Sequence, residues 1–343
     1  DICFGCGYCT WVCPYNAPQL DPVKGQVSKC NMCVDRLEVG LKPACVSACL
    51  GQALDFGVIE NIPAGRSQAK VEIPGFPRSD ITRPNIRFQQ TRVTQREMLR
   101  MDSTPLKYHR DDASGRFVPV LDPKHGFKRQ WNLGKLLSSH ENAHIAFTLS
   151  VQAAMGAFLL LVVGGWLLGM APVVEYAASA AWLPTLGVLL ALMSFGLFRL
   201  NLHLGKPQRF YRGFNNWRLS PVSREIAGVS LFAGSLAGYT FFNLFPSFPL
   251  ADLLKPVSAA AGLLGLSVGG YYMIRLYRIP ARPFWNHSHT DAAFVGTAFN
   301  LGGLLLALLA LGFGVLTPAL AKLLAAAMAF GLTLEALGLL AHA

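Results

Sequence analysis

Charged side chains are scarce in this chain and missing from long parts of it. Only 14% of the 343 residues are Asp, Glu, Lys or Arg, whereas 52% are hydrophobic. None of the four charged types occurs between Ala143 and Gly169. This composition excludes an ordinary soluble protein over the whole length of the chain.

Acidic residues are the scarcer charge type, with 19 Asp and Glu against 30 Lys and Arg and a formal net charge of +11. A basic chain can bind nucleic acid. Here, however, the basic residues lie in a proline-punctuated tail and in loops between apolar stretches. Such loops are typical of membrane topology, so the pattern argues against nucleic acid as a partner.

No cysteine follows Cys49, and all eight cysteines fall in two dense runs within the first 49 residues. Runs of this density pair poorly as disulfides, whereas they are typical of bacterial ferredoxins, in which three thiolates reach three irons of one cubane. The sequence therefore predicts a partial ferredoxin-like α+β unit over residues 1–57 that binds 4Fe-4S clusters. The eight expected ligands are Cys3, Cys6, Cys9, Cys13, Cys30, Cys33, Cys45 and Cys49.

Two points about these ligands stay open at the level of sequence. The second run alone also suits a tetrahedral zinc site, whereas the first does not. From this chain alone, the simple assignment gives one cluster the ligands Cys3, Cys6, Cys9 and Cys49. The other cluster then has the ligands Cys30, Cys33, Cys45 and Cys13. The chain begins at Asp1, two residues before the first ligand, so we expect further residues upstream to complete the unit.

Six apolar stretches follow, each near the roughly 20 residues that cross a hydrocarbon core of about 30 Å. They predict an all-α polytopic transmembrane bundle over residues 143–343, in the plasma membrane of a prokaryote. The predicted spans are 143–169, 177–199, 225–246, 256–277, 291–316 and 318–341. Small residues at four-residue spacing predict close helix packing. They are Gly228, Gly234, Gly238, Ala259, Gly262, Gly265 and Gly269.

Two further features concern the parts between and inside these stretches. Residues 58–142 show no sustained helical or strand periodicity of apolar residues. We therefore expect a basic, mostly extended tail there, in which Asn85–Phe88 is compatible with one short strand. Glu335 and Asn300 lie inside spans, where we expect them to face the bundle as packing or hydrogen-bonding residues.

If all six spans cross a membrane, the loops between them lie alternately on its two sides. The side shared with the cysteines carries nine basic residues, and the opposite side carries only Lys255 and Lys322. Positive charge in short loops stays in the cytoplasm, so the iron–sulfur unit is predicted to face the cytoplasm. The nine residues are Arg199, Lys206, Arg209, Arg212, Arg218, Arg224, Arg275, Arg278 and Arg282.

Three sequence blocks resemble the dimethyl sulfoxide reductase family. Lys29–Arg36, with Gly40–Cys45 after it, resembles the last cluster motif of that family's four-cluster iron–sulfur subunit. His203–Arg209, with Ser223–Ala227 after it, is similar to the signature loop of the membrane anchor, and Tyr272–Tyr277 also fits the anchor.

The resemblance implies an iron–sulfur subunit fused to its membrane anchor. Such a chain would not itself be catalytic. It would pass electrons between a membrane quinone and a separate molybdopterin subunit, which either reduces an S-oxide or oxidises a substrate such as sulfite. In four-cluster relatives the third run exchanges its fourth ligand with the second run, and the fourth run with the first. If so, each cluster here needs one ligand from upstream.

The resemblance also implies that His203 and Glu225 bind quinol. We expect Arg209, a basic residue of the same loop, to orient the headgroup or to hold Glu225 ionised. An imidazole can take the proton that quinol oxidation releases, and a partly buried carboxylate can relay it. Two alternatives remain at this point. His144 and His203 could bind a haem b, or the bundle could be a transporter that a cluster domain regulates.

Overall fold

The computed structural model describes residues 3–58, 69–70, 79–89, 97–99, 106–113, 117–121, 142–280, 282 and 285–341. The chain divides into two compact units, one of residues 1–4 and 136–343 and one of residues 5–135. The second unit contains most of the cysteines, and the first contains the long apolar helices. The domain boundaries predicted at residues 57 and 142 stay predictions.

The cysteine-bearing unit consists of very short elements. Its first three helices are α1 (Tyr8–Val12), α2 (Val34–Glu38) and α3 (Ala44–Ser47), and none of the three buries a side chain. Strands β1 (Gln19–Asp21) and β2 (Gln26–Ser28) form an antiparallel hairpin. In its turn, the backbone N–H groups of Lys24 and Val23 donate to the Asp21 carboxylate and lower its pKa. Helices without a buried face fit a unit that its metal clusters hold together.

The region from 58 to 142 contains more regular structure than an extended tail. Strands β3 (Ala69–Lys70) and β4 (Phe88–Gln89) pair antiparallel, with α4 (Ser79–Thr82) between them in sequence. Strands β5 (Glu97–Leu99), β6 (Leu106–Arg110) and β7 (Phe117–Leu121) form an antiparallel sheet in that order.

The prediction of a mostly extended tail therefore missed this sheet. Its strands carry β-branched and aromatic residues, but each is too short to establish a period of two. The short strand expected at Asn85–Phe88 begins only at Phe88. The rest of the predicted tail lies outside the described residues.

Among its described residues, the apolar unit contains six helices long and apolar enough to cross a membrane, which confirms the predicted bundle. A short helix, α6 (Ala171–Ala177), follows the first of them. The six are α5 (Asn142–Leu161, continued as a π-helix to Leu167), α7 (Trp182–Leu202), α8 (Pro221–Leu244), α9 (Ala251–Tyr277), α10 (Ser288–Gly312) and α11 (Pro318–Leu340).

The predicted ends were wrong where capping residues override hydropathy. The third span was predicted to open at Glu225, but α8 begins at Pro221, after the N-cap Ser220. Proline is favoured in the first helical turn because its missing N–H would have had no partner there. Glu225 is therefore one turn inside the helix. The second span begins at Trp182 rather than at 177, because residues 171–177 form α6.

Small residues let the helices approach closely, as predicted, at α8 and α9. A Cβ on Gly265 would lie 2.5 Å from the backbone nitrogen of Phe232, and one on Gly262 would lie 2.8 Å from the Phe158 ring. Gly228 and Gly269 meet backbone to backbone in the same crossing. Gly234 was wrongly included, since a Cβ there has no neighbour within 4 Å among the described residues.

Helices α10 and α11 are joined by a polar contact within the apolar bundle. The Thr297 hydroxyl and the Asn300 amide both donate to Oε1 of Glu335, each at 3.1 Å. Gly296 and Gly331 pack against this contact. The prediction that Glu335 and Asn300 are hydrogen-bonding residues inside the bundle is confirmed. Such bonds stabilise helix pairs in lipid.

Successive helices of the six run in opposite directions, so the start of one helix and the end of the next lie on the same face of the bundle. We call the face that contains the start of α5 the basic face. It contains the ends at Asn142, Leu202, Pro221, Tyr277, Ser288 and Leu340. Contacts across helices agree with this order, since Arg224 at the start of α8 reaches Tyr272 near the end of α9.

Candidate functional site

The first cysteine run bends sharply at two glycines. Gly5 and Gly7 have φ of 76° and 73°, a left-handed backbone that favours glycine. Gly7 is the N-cap of α1, and the Thr10 hydroxyl donates to its carbonyl at 2.7 Å. Cys9 lies within α1 and Cys13 at its C-cap. The chain thus reverses between successive cysteines, as a cluster-binding loop requires.

The second run directs backbone N–H groups at its sulfurs. The N–H of Met32 donates to Sγ of Cys30 at 3.4 Å, and that of Ala53 donates to Sγ of Cys49 at 3.2 Å. Cys33 has a left-handed φ of 54° and is the N-cap of α2. Hydrogen bonds to cysteine sulfur stabilise thiolate charge and tune the potential of an iron–sulfur centre.

The donor set fits iron–sulfur clusters better than single metal ions. All eight cysteines are thiols in the structure. Among the described residues, no three His, Cys, Asp or Glu side chains gather closely enough to hold one ion. Zinc requires its four ligands around one point, whereas each thiolate of a cubane binds a separate iron.

His203 lies at the C-cap of α7, on the basic face, and is half-buried. Its Nδ1 is hydrogen-bonded to the backbone carbonyl of Leu200. A carbonyl only accepts, so Nδ1 carries the proton and Nε2 is the nitrogen that can accept one. The ring is thus fixed in the tautomer that a proton acceptor needs.

The ring of His144 lies against that of His203, with centroids 4.2 Å apart and planes at 64°. His144 is in the first turn of α5. The sequence pointed to it only as a possible haem ligand. Two axial imidazoles need a porphyrin between them, and rings in edge-to-face contact leave no room for one. The antiparallel order of the first two spans could have indicated the pair, because it brings both positions to one face.

Arg209 and Glu225 lie on elements that pack together. Arg209 is in the 3₁₀ helix Pro207–Phe214, and Glu225 is in the second turn of α8. Ile226 fills the space beside Gly213, where a Cβ would lie 2.5 Å from its Cδ1. Within the described part of the chain, Glu225 forms no hydrogen bond or ion pair with Arg209 or with any other residue.

Arg224 links the helices beside this acid, a role that the sequence did not indicate. Its Nη1 donates to the Tyr272 hydroxyl at 3.0 Å, and its guanidinium lies 5.3 Å from the Tyr272 ring centre. Its Nε donates to the carbonyl of Trp217 at 2.8 Å. These bonds fix the start of α8 to the end of α9 and to the preceding loop.

One contact joins the first cysteine run to the signature loop within the apolar unit. The N–H of Lys206 donates to the carbonyl of Phe4 at 3.1 Å. The Phe4 ring also lies beside Gly213. Phe4 directly follows Cys3 in the chain. The backbone next to an expected cluster ligand is therefore attached to the loop that begins at His203.

Taken together, the cysteine runs and the helices define a class: a membrane-anchored iron–sulfur protein. Residues 2–59 match the 4Fe-4S dicluster domain family, and residues 137–342 match the family of the DMSO reductase anchor subunit. The second match covers more than half of the chain, which therefore belongs to the DMSO reductase anchor subunit family. It is a multi-pass membrane protein that carries 4Fe-4S clusters and has an electron-transfer and anchoring role.

Curated relatives match a part of the chain. It is 44% identical over 86 residues to the B subunit of anaerobic dimethyl sulfoxide reductase from Escherichia coli K12, covering 25% of this chain and 42% of the relative. It is 48% identical over 62 residues to a formate dehydrogenase iron–sulfur subunit of Haemophilus influenzae, covering 18% of this chain and 20% of the relative. The chain thus spans less than half the length of these relatives. No solved structure matches it.

Proposed function

We propose that this chain passes electrons between a membrane quinone pool and a separate molybdopterin-containing catalytic subunit through two 4Fe-4S clusters. The observation that carries the proposal is the bond between Lys206 and Phe4. It attaches the backbone beside Cys3, one of the proposed cluster ligands, to the loop that contains His203, one of the proposed quinone residues.

We propose all eight cysteines as cluster ligands. When bound, the clusters accept and donate single electrons. The glycine turns of the first run and the N–H groups aimed at Cys30 and Cys49 support this assignment. Two arrangements remain: each visible cluster is completed by the other run, or each takes its fourth ligand from residues upstream.

We propose that His203, Glu225 and Arg209 act on the quinone. Oxidation of a quinol releases two electrons and two protons. Nε2 of His203 accepts one proton, and the carboxylate of Glu225 accepts and relays the other. Arg209 offers its guanidinium to the oxygen of the headgroup. In the direction of quinone reduction the same groups donate the protons.

The enzymes to which the relatives belong support a separate catalytic partner for this chain. The relatives are subunits of dimethyl sulfoxide reductase and of formate dehydrogenase. Reduction of an S-oxide and oxidation of a substrate such as sulfite use the same wiring in opposite directions.

Purification through a tag on this chain tests whether a catalytic partner exists. A detergent-solubilised complex isolated from the native host should contain a second large subunit, molybdenum and iron, with the metals measured by mass spectrometry. A variant without residues 142–343 serves as the control for capture by the membrane part. Recovery of the chain with iron but without molybdenum, from cells supplied with molybdate, would contradict the proposed partner.

We further propose that the basic face and the iron–sulfur unit lie in the cytoplasm. The loops and helix ends of the basic face carry the nine basic residues, against two on the opposite side. In intact cells, an impermeant maleimide should label Ser247→Cys but should label Asn216→Cys only after permeabilisation. Both positions are exposed, so access to the reagent is limited by the membrane alone. The reverse pattern would place the clusters outside.

A further inference from the structure

Two histidines from different helices meet at the basic face, and close packing of those helices holds them together. His144 lies in the first turn of α5, and His203 is the C-cap of α7. Gly196, about two turns earlier in α7, packs directly against α5. A Cβ on Gly196 would lie 3.2 Å from Cβ of Ser150 and 3.4 Å from Cα of Phe147. An approach this close fixes the distance between the two helices and therefore between the two histidines.

The ring of His203 is held at one point by its own helix. Its Nδ1 donates to the backbone carbonyl of Leu200. One hydrogen bond fixes that edge of the ring but leaves the ring free to swing about the bond. Nε2, the proposed proton acceptor, lies across the ring from Nδ1 and moves in such a swing. A second contact is therefore needed to fix the direction of Nε2.

His144 supplies this second contact. The two ring centroids are 4.2 Å apart and the ring planes are inclined at 64°. This is the edge-to-face arrangement that aromatic rings prefer over a face-to-face stack. Because His144 is fixed to its own helix, its ring limits the swing of the His203 ring.

The same geometry argues against a proton passing between the two rings. A ring nitrogen accepts a proton through a lone pair that lies in the plane of its own ring. In the edge-to-face arrangement the edge of one ring meets the face of the other, where no lone pair points. The structure thus supports an action of His144 on His203 by contact.

We infer that His144 is a positioning residue of the quinone site, whose ring holds that of His203 so that Nε2 faces the quinol hydroxyl. The inference rests on the proposed function, in which His203 accepts a proton from quinol. A general base must lie within hydrogen-bond reach of the proton that it takes. Loss of the orienting contact therefore lowers the rate of proton transfer more than it weakens the binding of quinol.

Reduction of the clusters by a reduced naphthoquinone, followed by stopped-flow absorbance on the full complex, tests the inference. His144→Ala should lower the limiting rate by about 10–100-fold, the range expected when a reacting group is misplaced. The quinol concentration at half the limiting rate should change by less than about threefold, because binding is retained. His144→Phe keeps a flat ring without nitrogens and should stay within about threefold of the unchanged protein.

A double variant shows whether His144 acts through His203. His144→Ala combined with His203→Ala should be no slower than His203→Ala alone, because no ring is left to position. Ile145→Ala is the matched control, since Ile145 is an exposed neighbour in the same turn of α5. It should leave the rate unchanged. In every variant dithionite should still reduce the clusters fully, which shows that the complex is intact.

Nitrogen NMR of the complex with isotope-labelled histidine reports the His203 ring directly. Its signals are those that disappear in His203→Ala. The unchanged protein and His144→Phe should show His203 protonated at Nδ1 alone. His144→Ala should show a mixture of the two tautomers, because a ring that leaves the Leu200 carbonyl can carry its proton on either nitrogen.

The remaining outcomes separate this inference from the proposed function. A normal rate in His144→Ala, with a slow His203→Ala, would overturn the inference and leave the proposed function standing. A rate as low in His144→Phe as in His144→Ala would overturn it too, because the nitrogens of His144 would then be required. A double variant slower than His203→Ala would show that His144 acts independently, against the inference. A normal rate in His203→Ala would contradict the proposed role of His203 itself.

Discussion

Replacing Glu225 by Gln should slow electron transfer between quinol and the clusters by about 10²–10⁴, the range expected for loss of an acid–base group. Gln keeps the shape and hydrogen bonding of the side chain but cannot accept a proton. Because Glu225 forms no bond within the described residues, the substitution removes no contact that holds the fold. His203→Ala should have an effect of the same size, since it removes the Nε2 acceptor. The rate is measured by stopped-flow absorbance of the clusters after mixing with a reduced naphthoquinone.

Glu175→Gln is the matched control, because this acid lies in α6, on the face opposite His203. It should leave the rate unchanged. In all three variants dithionite should still reduce the clusters fully, which separates a defect in quinol chemistry from loss of the clusters. Rates within about twofold of the unchanged protein in both Glu225→Gln and His203→Ala would leave these residues with a structural role only.

Replacing Cys33 by Ser should remove one of the two clusters that the visible cysteines bind, with the four irons of that cluster. Serine offers a hard hydroxyl where an iron of the cluster needs a soft thiolate. Iron and acid-labile sulfide are measured on the full-length protein, and EPR after dithionite reduction counts the remaining centres. The described helices of the unit bury no side chain, so loss of a cluster should also expose it to proteolysis.

Val34→Ser controls for the serine substitution next to the same residue, because Val34 is exposed and carries no sulfur. It should keep both clusters. Zinc in place of iron in the unchanged protein would contradict the cluster assignment, as would full iron content in Cys33→Ser.

Much of the architecture could be predicted from local sequence. Thiolate spacing and long apolar stretches are direct consequences of cluster and membrane geometry, so the cluster unit and the six spans followed from the sequence. Helix ends did not follow, because they depend on caps such as Ser220 rather than on hydropathy. The sheet of β5, β6 and β7 was missed because its pairing is non-local and its strands are short.

The candidate site was predicted in part. His203 is placed by its position at the end of a span, but its contact with His144 joins residues far apart in sequence. The Arg224–Tyr272 bond likewise depends on which helices are neighbours. Apolar spans of similar composition give little information about neighbours, since any of them can face any other in lipid.

The most direct test of the central claim uses the unmutated complex in the stopped-flow assay proposed for Glu225→Gln. The clusters are first oxidised, and a reduced naphthoquinone is then added in the absence of any other donor, with cluster absorbance and EPR recorded. The account predicts that the clusters are reduced, or that pre-reduced clusters are oxidised by the quinone, according to the difference in potential. Clusters that respond to dithionite but exchange no electrons with quinone in either direction would contradict it.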